Sequence, residues 1–281
     1  MSHHALQRAL IVALHDPGFC AAMRADPAAA LAPFGLTGAE RDQLLAVDQR
    51  AFGIDKLRRR RVLKAIVEEL KGSVAIALSE ARRLAFLDEF FASPWFRAAV
   101  IEDRPLVMAL ADYLGAALAG GGLTAPHLAG VLAIERAQAE ARRDRDRVPP
   151  PGLSLAPGVR LVVADSAALA ALQAAEQHLF ELALLPHIAL CEDRPGLALP
   201  SRAGARPLHL AVRASGGEVA LAELPEALHR SLGALDGAAA RGPVGRADMP
   251  SLLAGVGLRV ADTDRLVDDL LADGYAVDQP L

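Results

Sequence analysis

Aromatic side chains are scarce in this chain: they make up 4% of its 281 residues, although 53% of the residues are hydrophobic. A core of that composition is mostly Ala, Leu and Val, which favours helices packed closely on small side chains. Cysteine is rarer still. Cys20 and Cys191 lie far apart in sequence and form no metal-type spacing. They are expected as reduced thiols of a cytoplasmic protein, a bridge between them being the alternative. A basic excess is missing too, with 30 Lys+Arg against 34 Asp+Glu and a formal net charge of −4. Domains that grip phosphates normally carry such an excess, because their affinity comes from displaced counterions; nucleic-acid binding is not expected. No apolar run approaches the length needed to span a bilayer, so no membrane association is expected. The opening MSHHALQRAL lacks a basic region followed by an apolar stretch and cleavage site, so export is not expected either.

One basic feature stands against that background, the run LRRRR at Leu57–Arg61. It opens a helical pattern whose apolar stripe is Leu63, Ile66, Val67 and Leu70. Continued backwards, the stripe passes through Arg59 and Arg60. Four consecutive helical residues fan around roughly 300° of the axis, so they make no single basic face. At least one must lie along the buried side, with its stem on apolar surface or its head on a carboxylate. The alternative is a surface for a protein partner, for which Arg58 and Arg61 are the candidates.

The clearest punctuation is RRDRDRVPPPG, Arg142–Gly152, where a charge-dense helix end meets three prolines. Proline lacks an amide hydrogen and disfavours helix in the residue before it. The reading is therefore a helical domain over 1–147, a proline-rich linker over 148–157 and a second domain over 158–281. In the first, Asp16–Pro17 opens a helix, Pro27 breaks it or starts another, and Thr37 with Glu40 forms a capping box. Pro94 starts a short turn, Pro105 opens a helix stopped by Gly120–Gly122, and Thr124 with Pro126 precedes an amphipathic helix. In the second, GVRLVVAD is a strand and Ser166 is placed to cap the helix after it. PLHLAVRAS and EVALAEL form a hairpin about Gly216–Gly217. Three short helical stretches then follow from Pro225. The fold class is α-rich α+β.

A β-hairpin followed by three helices describes a winged-helix-like module, here over about 206–277. With LHRSLGALDG and DTDRLVDDLLADG in its helices, it resembles the peptide-recognition element of ribosomal-peptide maturation enzymes. The resemblance implies leader-peptide recognition by strand addition to an exposed sheet edge near Val219 and Leu221, with a groove helix offering Leu266 and Leu270. The alternative for these four residues is plain core. A second resemblance covers RAFGIDKLRRRRVLKAIVEEL, FFASPWFRAAV and LTAPHLAGVLAIERAQAEARR, which look like the partner subunits of multinuclear non-haem iron oxidative enzymes. It implies a heterodimer in which iron resides on the enzyme subunit, with no cofactor in this chain. The stretch FCAAMRADPAAALAPFGLTGAERDQLLAVD is also similar to the small helical subunit of extradiol ring-opening dioxygenases. A winged-helix DNA-binding regulator is a further alternative. Its last helix, with Asp262, Asp264, Asp268, Asp269 and Asp273 against Arg265, would be repelled by a duplex.

No catalytic set emerges. His178, Glu181, His187 and Cys191 are the one dense group of potential ligands, and His178 with Glu181 shares a helix face. An enzyme reading would place a metal there, but no second pair of ligands accompanies them. There is no dinucleotide-binding glycine motif after a strand, no phosphate loop and no nucleophile elbow.

Overall fold

The computed structural model describes residues 3–48, 50–53, 57–181, 197–258, 261 and 263–280. It is helix-rich with two small antiparallel sheets, an α-rich α+β architecture. The chain divides into two compact units, 1–132 with 173–199, and 133–172 with 200–281. Two of the three boundaries fall inside helices, within α11 (Leu128–Asp144) and α12 (Ser166–Glu181), and the third, at 199/200, in irregular chain.

Several helices of the first unit start on a cap or a proline written into the sequence. Helix α1 (His4–His15) ends at Asp16, which is fully buried and N-caps α2 (Pro17–Ala25), accepting from the amides of Gly18 and Phe19. Asp26 repeats the device for α3 (Pro27–Leu31). Thr37 and Glu40 form the expected reciprocal capping box on α4 (Gly38–Ala46). After the short α5 (Arg50–Gly53), α6 (Arg58–Val67) buries Leu63, Ile66 and Val67, with Leu70 just beyond it. Helix α7 (Lys71–Ala81) stops at Arg82 in the left-handed region, and α8 (Ala85–Asp88) follows. The stretch expected to be a short turn after Pro94 is a full helix, α9 (Pro94–Glu102), because Ser93 caps it at the Phe96 amide. Helix α10 (Leu106–Ala119) stops at the glycines, as the sequence predicts.

The composition misdirects in one respect. The few aromatics are concentrated rather than dispersed, and they form the centre of this unit. Phe90, Phe91 and Phe96 are all fully buried and pack edge-on or tilted against one another at 5.2–5.7 Å. His15 stacks on Phe91 at 5.4 Å, and the Tyr113 hydroxyl donates to the Phe86 carbonyl at 2.9 Å. Burying each ring is worth about 1.5–3 kcal/mol, and such ring pairs add about 0.5–1.5 kcal/mol. A percentage over the whole chain carries no information on clustering.

In the second unit, β1 (Gly152–Leu155) lies in the proline-rich stretch read from sequence as linker, and it pairs antiparallel with β5 (Ala276–Gln279). Gly152, at φ +84°, lets the chain pass Val244 closely, and the Leu153 amide donates to the Val244 carbonyl at 2.7 Å. Strands β2 (Val159–Asp165), β3 (Pro207–Ser215) and β4 (Glu218–Glu223) form an antiparallel sheet in the order β2-β3-β4. Asp165, not Ser166, caps α12, accepting from the Ala168 amide at 2.6 Å; the Ser166 hydroxyl instead accepts from the Arg206 amide. The carboxylate is free to reach that amide because it lies at the strand end, one residue ahead of the serine. Three helices follow the hairpin: α13 (Glu226–Ala239), α14 (Met249–Gly255) and α15 (Thr263–Ala272). Helix α13 runs on through Gly237. Leu232, Leu235, Met249, Leu253, Val267 and Leu270 make its core with Leu153 and Ala276.

Candidate functional site

The β3–β4 hairpin turns on Gly216 and Gly217, both at positive φ (58° and 96°), as a two-residue connection of this kind requires. Ser215 pairs with Glu218 across it, and the register continues as Arg213 with Ala220 and Ala211 with Ala222. In a two-residue hairpin the closing pair exchanges both hydrogen bonds, and alternate pairs then do the same. Glu218, Ala220 and Ala222 therefore turn their amides and carbonyls into β3. Val219, Leu221 and Glu223 turn theirs outward. Among the described residues β4 has no strand on that side, so this is an open edge.

The same register sets the side chains. Val219 lies opposite Ala214, and Leu221 opposite Val212. All four pack with Ala137 and Ala141 of α11, and Val219 and Leu221 stay half-buried at the rim of that cluster. Arg160 on β2 fixes the helix over this face through Asp144 and, at 3.8 Å, Glu140. Arg206 holds Glu223 with two bonds of 2.6 and 3.0 Å, which keeps the Glu223 carboxyl below its usual range. On the other face Arg213 donates to the Asp273 carbonyl at 2.7 Å and lies over the Tyr275 ring.

Leu266 and Leu270 are elsewhere. Both belong to the cluster that packs β1, β5, α13 and α14, with Leu270 buried and Leu266 half-buried. The structure does not bring this pair together with Val219 and Leu221, because the two pairs contribute to separate clusters. Only Val219 and Leu221 lie on β4, the outer strand of its sheet among the described residues.

Arg58 is half-buried, and its guanidinium points at the carbonyls of Leu14 and Phe52, each at 3.5 Å. A cation at the last turn of α1 meets the negative end of that helix, so Arg58 is structural at least in part. Arg61 is exposed. On α12, Glu181 accepts from Gln177 at 2.8 Å. His187 and Cys191 lie outside the described residues, and among those described no group of three or more His, Cys, Asp or Glu is placed to hold a metal ion. No described helix is long and apolar enough to cross a membrane. Neither the family models nor the curated proteins contain a match to this chain.

Two arrangements escaped the sequence reading. Asp16 meets Arg97, 81 positions away, at 2.7 Å (Nε) and 2.6 Å (Nη2). His209 on β3 meets His229 on α13, with ring centroids 5.1 Å apart. Nothing in the spacing of either pair announces contact.

Proposed function

We propose that this chain is a non-catalytic partner subunit. It binds the leader of a ribosomally made precursor peptide on a winged-helix-like module and presents it to an iron-dependent oxidative enzyme, which carries the metal. The single observation that supports this reading is the open edge of β4. There the outward amides and carbonyls of Val219, Leu221 and Glu223 stand beside the apolar rim of Val219 and Leu221. An extended peptide gains main-chain hydrogen bonds along such an edge, and selectivity from the side chains at its rim. The acidic surface of α15, with Asp264, Asp268 and Asp269 exposed, disfavours the DNA-binding alternative.

The test uses the register. Leu221→Pro removes an outward amide from an edge strand, where proline is tolerated, whereas Ala222→Pro removes an inward one and breaks the ladder. Peptides encoded beside this chain should bind wild type, and binding should be lost in Leu221→Pro while its far-UV spectrum is unchanged. Co-purification with the neighbouring gene products should give a complex with iron only in the other chain. Full peptide binding by a folded Leu221→Pro, or stoichiometric iron in this chain alone, would overturn the reading.

A further inference from the structure

The rings of His209 and His229 meet on the face of the β2-β3-β4 sheet covered by α13. Each has one buried nitrogen with no hydrogen-bond partner among the described residues, Nδ1 of His209 and Nε2 of His229. A buried ring nitrogen left unsatisfied is costly, and here neighbouring rings carry one each. His229 is anchored as well. It hydrogen-bonds the backbone of Val162, and since its Nε2 has no partner, that bond belongs to Nδ1. A backbone carbonyl on the far nitrogen fixes the tautomer that leaves Nε2 as the bare acceptor, as in histidines that hold metals. The spacing is suitable too. Metal–nitrogen bonds of about 2.0–2.1 Å at a tetrahedral angle put two imidazole centroids about 5 Å apart, against the 5.1 Å here.

From this geometry we infer that His209 and His229 form a two-imidazole site for a first-row divalent cation such as Zn2+. No third His, Cys, Asp or Glu joins the pair among the described residues. Glu223, whose carboxylate feels His209, is held by Arg206. The remaining coordination positions are left to water. This inference is independent of the peptide-docking edge and differs from the expectation that this chain carries no metal.

The probe is Zn2+ added to the full chain, read by calorimetry, with His3 and His4 changed to Ala in every protein compared so that terminal imidazoles do not compete. One equivalent should bind, and His209→Ala or His229→Ala should each weaken it at least tenfold. Zinc should also shift the imidazole resonances of His209 and His229 in the protein that carries only the His3 and His4 changes, a readout that does not depend on the site variants folding. Binding unchanged in both alanine variants, or zinc that leaves these two rings unshifted, would overturn the site.

Discussion

The buried ion pair between Asp16 and Arg97 gives the sharpest test of the energetics. Asp16 has no solvent exposure, and each of its oxygens is committed: one accepts from the amides of Gly18 and Phe19, the other from Arg97. Asp16→Ala therefore removes an N-cap, about 1 kcal/mol, and charge-assisted bonds, about 1.5–3 kcal/mol. Arg97→Ala leaves the carboxylate buried and unpaired. A fully buried pair broken in this way costs about 3–5 kcal/mol. The Arg97 side chain is 43% exposed, so water can enter on its side, and about 2–3 kcal/mol is the better expectation. The double variant should cost less than the sum of the singles by about 2 kcal/mol, since the pair is lost only once. Urea unfolding followed by the fluorescence of Trp95, the only tryptophan, two positions from Arg97, reports this unit directly. Asp16→Asn, which keeps the cap oxygen, should fall between wild type and Asp16→Ala. A coupling below about 0.5 kcal/mol would refute the reasoning, because it would mean that the two groups are solvated independently.

Burial, with Arg58 and Arg59 nearby, holds the His15 imidazole below the ordinary 6.5, against the pull of its bond to the Ile11 carbonyl. Below that pH the unfolded chain binds the proton more readily than the folded one, so stability should fall as pH drops from 7.5 to 5.5. His15→Phe keeps the stacking on Phe91 and should flatten that fall in the Trp95 signal; an identical pH dependence would refute the assignment. Gly152→Ala would put a Cβ 2.5 Å from the Val244 carbonyl oxygen at φ +84°. The conformation alone costs about 1–3 kcal/mol, so hydrogen exchange should rise at β1 and β5, whereas Gly216→Ala, with open space around it, should disturb the hairpin less. Arg58→Ala should cost about 1 kcal/mol by uncapping α1, while Arg61→Glu should weaken the proposed complex with an enzyme subunit, measured by co-purification.

Sequence alone specified the local devices. The caps at Asp16 and Thr37, the glycine stop after α10 and the Gly216–Gly217 turn are each written within four residues and reappear in the structure. The choice of Val219 and Leu221 rests on the resemblance, and the register that turns their backbone outward is read from the structure. What the sequence left open depends on partners distant in the chain. Tertiary structure alone decided that Arg97 answers Asp16, that β1 finds β5 from within a proline-rich stretch, and that His209 meets His229. It also decided that Leu266 and Leu270 pack away from the edge they were expected to serve. A helical stripe states that a leucine is buried, but not against what, because burial lowers the free energy of any apolar face equally and only the full set of packed elements selects the neighbour.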